Sequence, residues 1–251
     1  MSTRRPNQAA KADPSTSLQP CTHRALPAFS PVDTEARAGG GRPSRRIVAE
    51  FAGTPRAGKT SAMHGLNLRL RAGDHRVHLV EERACISPIP ASQHPQFNLW
   101  TASTTSALIL EAMYSEADVV LVDRGLFDSL CWMDWYRRSG QLTRHDHEAI
   151  KRFMCVGPLR EIISLVLVMK VDPTVALQRE RATWAAGAVK GPGRVMNVGT
   201  LTDLNISIAE TVDRHRSEFG LHELDTTTMD QAQTVDVVAG AVQELMCASA
   251  R

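Results

Sequence analysis

Aromatic side chains are scarce, at 5% of the 251 residues, and no apolar run approaches the roughly 18 residues needed to cross a bilayer. The five cysteines (Cys21, Cys85, Cys131, Cys155, Cys247) are widely spaced and include no C-x-x-C pair. Each shortage removes a class of protein. Without an apolar span no membrane partner is expected, and an odd set of scattered thiols argues against a disulfide framework or a zinc knuckle. Arg4 and Arg5 have no apolar segment behind them, as a signal peptide requires, and Asp13, Asp33 and Glu35 are out of character for a transit peptide. A cytoplasmic protein with reduced thiols is the expectation. With 43% hydrophobic and 22% charged residues, the chain is neither collagen, a coiled-coil rod nor wholly disordered.

Net charge is also nearly absent, at +2, yet its distribution is uneven. Residues 1 to 46 hold eight Lys or Arg against three acids, and the remainder carries 21 basic and 24 acidic side chains. A polymeric nucleic acid usually needs a positive field from the folded body, which this chain lacks. That partner is disfavoured, and it stays open only through the basic tail. Residues 1–44 are rich in Pro, Ser, Thr, Ala and Gly, with apolar side chains too scattered to offset the entropy of ordering, so they read as a disordered basic tail. The domain proper is expected over 45–251.

From Ile47 onward short apolar runs alternate with longer amphipathic stretches, the pattern of a parallel α/β sheet. Five strands are expected, at Ile47–Ala52, Val77–Val80, Val119–Val122, Leu165–Val171 and Leu221–Leu224. Helices are expected after Thr60, over 99–116, 126–138 and 144–155, from Asp172-Pro173, and over 200–217 and 230–246. Asp172 suits an N-cap, Pro173 the first helical position and Gly73 a helix end. The stretch Gly187 to Gly199, with four glycines and a proline, reads as a mobile loop.

The most specific signal is Gly53-Thr54-Pro55-Arg56-Ala57-Gly58-Lys59-Thr60, which matches G-x-x-x-x-G-K-[ST] between an apolar strand and an amphipathic helix. Such a loop turns its backbone N–H groups inward at a phosphate, and the helix start adds partial positive charge. Lys59 is expected to bridge β- and γ-phosphates, and Thr60 to ligate Mg²⁺. The fold class that follows is α/β: a three-layer P-loop NTPase fold with a five-stranded parallel sheet flanked by helices.

Other residues choose among P-loop proteins. Strand three ends Asp123-Arg124-Gly125, one residue short of a GTPase D-x-x-G switch, and Met169 stands where guanine recognition needs asparagine. Asp123 should lie at the carboxyl edge of the sheet, within reach of the Mg²⁺ shell, with Arg124 free to pair with a phosphate or an acid. After strand two, Glu81-Glu82-Arg83 supplies a carboxylate for the acceptor hydroxyl; Glu82 is preferred, although alternation does not separate it from Glu81. Arg179, Arg181, Lys190 and Arg194 surround the glycine-rich loop, which reads as a basic lid over ATP that stabilises the moving phosphoryl.

Together these motifs resemble the thymidylate kinase and deoxynucleoside kinase group of P-loop phosphotransferases, over about residues 46 to 246. The resemblance implies ATP and Mg²⁺ as cofactors, Asp123-Arg124 as the acid–arginine pair after strand three, Glu82 as the strand-two carboxylate, and a small-molecule acceptor, most naturally a nucleoside or nucleoside monophosphate. A homodimer is an open alternative. The chain departs from the group where Glu82 is followed by Arg83 rather than Pro, and where Gly125 replaces Ser, Tyr or Phe. Other acceptors, a polynucleotide 5′ end or another metabolite, and an ATP-binding regulatory module with little turnover, are the competing readings.

For the acceptor, Phe97-Asn98, Trp100, Phe127, Trp132, Trp135 and Tyr136 fall in the flanking segments, where some could stack on a planar group and others simply pack. Asn98 or Asn197 is a candidate for a base. His145, Asp146 and His147 are read as a solvated helix start in preference to a metal site.

Overall fold

The first apolar run becomes the centre of the sheet. Strand β1, Ile47–Gly53, is buried at every position, which requires neighbours along both edges and helices on both faces. In the computed structural model, which describes residues 46–89, 94–186 and 195–249, these are supplied by four more strands: β2 (Val77–Val80), β3 (Val119–Asp123), β4 (Leu165–Lys170) and β5 (Leu221–Asp225). All pairings are parallel, in the order β2-β3-β1-β4-β5. The expected tail, and Lys190 and Arg194 with the glycines before them, lie outside the described residues.

Seven α-helices lie between the strands and an eighth follows β5 among the described residues: α1 (Lys59–Ala72), α2 (Pro95–Ala112), α3 (Leu126–Arg138), α4 (Arg144–Met154), α5 (Gly157–Arg160), α6 (Pro173–Ala185), α7 (Val198–His215) and α8 (Gln231–Ser249). Side chains alternate across a strand, so β1 divides its residues between two cores. Val48 and Ala52 pack with Ile109 of α2, Leu130 of α3 and Ile208 of α7. Ala49 and Phe51 pack on the other face with Met63 and Leu66 of α1 and Val238 and Val242 of α8. This is the three-layer α/β arrangement expected of a P-loop NTPase. No helix of the described residues is long and apolar enough to cross a membrane.

Local chemistry sets the element ends. Asp172 caps α6, its Oδ1 accepting from Thr174 N at 2.8 Å and Val175 N at 3.3 Å, with Pro173 in the first turn. The helix expected at 99–116 begins and ends four residues earlier, at Pro95 and Ala112, because His94 caps it and Pro95 occupies its first position. Beyond Ala112 the chain turns, and the Arg46 side chain donates to the carbonyls of Met113, Ser115 and Ala117. Gly199 belongs to α7 and not to the preceding loop, since Asn197 caps that helix through Thr200 N at 2.9 Å.

The strand order has a functional consequence. The chain leaves β1 toward β2 on one side, and leaves β3 toward β4 on the other. The crevice between the carboxyl ends of β1 and β3 is therefore the topological switch point, where ligands of open α/β sheets bind. Register places Phe51 of β1 opposite Asp123 of β3, so Gly53 and Asp123 border that crevice.

Candidate active site

The phosphate loop leaves β1 at Gly53, whose φ is +122°. A Cβ at this position would lie 2.0 Å from the Met169 carbonyl oxygen, so only glycine lets β1 run this close to β4 before turning. The loop is then held from outside. Thr54 N donates to Met169 O at 3.0 Å, and Thr54 Oγ1 to Asn205 Oδ1 at 2.5 Å, while Asn205 Nδ2 donates to Val171 O at 3.1 Å. Gly53 N donates to Asp128 Oδ1 at 2.8 Å. The Thr226 hydroxyl reaches Ala57 O at 3.0 Å from the end of β5. Arg56 takes a left-handed φ of 64° and its side chain pairs with Glu180.

Lys59 is buried, and its Nζ donates to Gly53 O at 2.9 Å and Thr54 O at 2.8 Å. Burial, with Arg124 adding to it, pushes this ammonium down to about 8, against the pull of Asp128, Asp123 and Glu82. Thr60 Oγ1 donates to Asp123 Oδ2 at 2.5 Å. The other carboxylate oxygen, Asp123 Oδ1, is buried without a hydrogen-bond partner among the described residues. An exposed threonine hydroxyl beside a carboxylate with an unused oxygen is a hard-oxygen donor set of the kind Mg²⁺ prefers, so these residues fit that ion.

Arg124 also adopts a left-handed φ, of 60°, a conformation that costs a non-glycine residue about 1–3 kcal/mol and collects at functional sites. Its Nε lies 2.7 Å from Glu82 Oε1 and its Nη1 3.2 Å from Asp128 Oδ2. Burial disfavours its charge, but Glu82, Asp128 and Asp123 outweigh this and hold the guanidinium protonated. Glu82, rather than the exposed Glu81, is the carboxylate brought to the crevice.

Two cavities open here. The larger, about 660 Å³, is lined by the phosphate loop from Pro55 to Thr60 together with Glu82, Arg124, Arg179 and Glu180. The smaller, about 180 Å³, is lined by Phe97, Asn98, Ser129, Trp132 and Tyr136 from α2 and α3, with Arg83 and Asp128. Pro55, Glu82 and Arg124 belong to both walls.

Some expected residues are placed differently. Arg179 lines the larger cavity, but its guanidinium is spent on carbonyls, donating to Arg56 O at 3.2 Å, Thr226 O at 2.7 Å and Met229 O at 3.3 Å. That is the geometry of a loop support and not of a phosphate clamp. Arg181 is exposed and lines neither cavity. Phe127 sits in the core, its ring 5.4 Å from Phe219, and Trp135 likewise packs away from the smaller cavity. Asn98 lines that cavity with Nδ2 donating to Ser129 O at 3.0 Å, whereas Asn197 is a helix cap. His145 is exposed while His147 is buried against Asp134, so the two do not converge on a metal.

Glu50 is the residue that sequence reasoning missed. It is a carboxylate in the middle of a fully buried strand, accepting from Phe127 N at 3.1 Å and Asp128 N at 2.8 Å. It thereby caps α3 from β1 and satisfies donors at the helix start that Gly125 leaves uncapped. Burial pushes its pKa up to about 7, against the lowering effect of the two N–H groups. A Cβ on Gly125 would lie 2.5 Å from the Glu50 carboxyl carbon, so glycine at this position gives the Glu50 carboxylate room beside the start of α3. The only sequence signal was an acid interrupting an otherwise apolar strand.

With this geometry in view, the solved structures that resemble the chain are informative. Deoxyadenosine kinase from M. mycoides with the products dCMP and a flexible dCDP bound superposes with a TM-score of 0.61 at 14% identity, covering 79% of this chain and 100% of that one. The same enzyme with bound dCTP gives 0.59 at 12% identity and the same coverage. With bound dATP it gives 0.56 at 14%, covering 78% and 100%. The likeness is one of fold. No family model matches the chain, and no curated protein does.

Proposed function

We propose that the protein is a Mg²⁺- and ATP-dependent phosphotransferase whose acceptor is a hydroxyl of a nucleoside or nucleoside monophosphate. The observation that carries this reading is the pair of cavities that share Glu82 and Arg124. A phosphate-binding loop alone suits any ATPase, but a second, partly aromatic hollow opening on the same carboxylate and arginine provides a place for an acceptor other than water. The fold shared with a deoxyadenosine kinase supports the same class.

In this reading the loop N–H groups and Lys59 hold the β- and γ-phosphates, and an arriving anion offsets the burial that depresses the Lys59 pKa. Thr60 and Asp123 hold Mg²⁺, which when bound neutralises phosphate charge. Arg124 lies where the phosphoryl group passes between the cavities and stabilises its charge. Glu82 orients the acceptor hydroxyl and accepts its proton as the new P–O bond forms and ADP departs. Arg179 supports the loop from its carbonyl side. Trp132 or Tyr136 stacks on the acceptor's planar group. ATP enclosure by Arg194 belongs to the same proposal.

The test is transfer of labelled γ-phosphate from ATP with Mg²⁺ to a panel of nucleosides, nucleoside monophosphates and 5′-hydroxyl oligonucleotides. A labelled nucleotide is expected, and Lys59→Ala should reduce its rate by about 10²–10³-fold, as loss of a preorganised donor does. ATP binding with no labelled product from any acceptor would sink the reading and favour a regulatory nucleotide binder.

A further inference from the structure

A third hollow, of about 330 Å³, lies among the end of α3, the start of α4 and the C-terminal part of α7, and every residue lining it is charged or titratable. It is separate from the candidate site. It shares no lining residue with either cavity, although Arg137 directly follows Tyr136, which lines the smaller one, along α3.

The carboxylates of this hollow are committed. Asp134, at its buried floor, accepts from Thr211 Oγ1 and from Arg214 Nη1 at 2.6 Å, and lies 2.6 Å from His147 Nε2. Glu210 is taken by Arg138 at 2.7 Å, and Glu148 lies 3.5 Å from Lys151. The cations are less committed. Arg137 and Arg144 make no side-chain hydrogen bond or ion pair among the described residues, and Arg144 acts on Glu148 only through space. His147 has a 5% exposed side chain, and its Nδ1 is buried without a hydrogen-bond partner, the Glu148 Oε1 atom standing 3.8 Å away.

Two uncommitted guanidiniums facing one hollow, with a buried ring nitrogen in its wall and a helix start beside it, call for a ligand with several oxyanion groups. Its volume suits a small molecule and not a polymer. We propose that this hollow binds a phosphate-bearing small molecule through Arg137, Arg144 and His147, at a site distinct from the phosphate loop.

Inorganic pyrophosphate is the probe, titrated calorimetrically into the full-length Lys59→Ala protein so that the phosphate loop contributes little. One binding event is expected. Adding Arg137→Glu and Arg144→Glu should weaken it at least about tenfold, the scale of one lost charge-assisted hydrogen bond. Both residues are exposed, and Glu favoured in the first turn of α4 offsets Glu disfavoured in the last turn of α3, so the thermal unfolding midpoint should hold. His147→Gln in the Lys59→Ala background should weaken the event severalfold. No pyrophosphate binding to Lys59→Ala, or binding indifferent to both arginines, would overturn the proposal, whatever the outcome of the transfer assay.

Discussion

The two cavities of the candidate site are built by opposite means. The larger is made of backbone: its wall is a loop whose shape comes from glycines at positive φ and from carbonyls and hydroxyls that hold it from behind. The smaller is made of side chains from α2 and α3, and its shape depends on how those helices are seated. A backbone wall recognises what every nucleotide triphosphate has in common, whereas a side-chain wall can be changed residue by residue to choose an acceptor. In the proposed reading, generality lies on one side of Glu82 and Arg124 and selectivity on the other.

The sharpest way to break this comparison is at the shared wall. Glu82→Gln should lower turnover by about 10²–10⁴-fold, the range for a positioned acid–base group, while ATP affinity, measured by calorimetry, changes little. If ATP affinity falls in proportion, the carboxylate belongs to the backbone side and the division is wrong.

A smaller effect is expected from Gly125→Ala. The added methyl meets the Glu50 carboxyl group, which is buried and held by two N–H groups, so it can shift only by losing those bonds. Overpacking of this kind costs about 1–3 kcal/mol, readable as a shift in the urea midpoint. Because Glu50 seats the start of α3, the residual activity should show a raised acceptor KM with an ATP KM nearly unchanged. Equal changes in both would show that α3 does not serve the acceptor side alone.

The last effect concerns pH and is small over any single pH unit. Glu50 has a folded-state pKa near 7 and an unfolded value near 4.5, so the folded state binds more protons between them. The stability from this group is complete below about pH 4.5 and declines as pH rises toward 7, by at most about 1.4 kcal/mol per pH unit. Glu50→Gln should remove that slope from urea unfolding measured across the window. An unchanged slope would mean that the carboxylate titrates normally despite its burial.

How much of this was legible in the sequence follows from the same division. The phosphate loop, the five strands and the Asp172-Pro173 helix start depend on local backbone chemistry, and local patterns carry that information. Asp123 was readable because it ends an apolar strand, which in a parallel sheet means the carboxyl edge, and the Glu81-Glu82 pair because it follows one, although the pattern did not choose between the two. The smaller cavity was not readable, because Phe127 and Trp135 are indistinguishable in sequence from Trp132 and Tyr136 until helix rotation turns the first pair away from the cavity, while Tyr136, itself buried in the core, lines it. Arg179 and Arg181 were grouped by charge alone, and only tertiary structure reveals that one supports carbonyls and the other faces water. Glu50 depends on a contact across 78 residues to Asp128 N, a distance no local pattern spans.

Besides Arg179 and Glu180 of α6, four separate parts of the chain anchor the phosphate loop: Met169 at the end of β4, Asn205 of α7, Asp128 of α3 and Thr226 beyond β5. The protein's own contacts therefore fix the shape of the loop. The conformational freedom that a loose glycine loop would surrender on meeting its ligand is surrendered here during folding. Nucleotide capture should then be a fast docking event with little ordering of the loop, and damage to any of the four anchors would first appear as slower or weaker capture, before any fault in the transfer step.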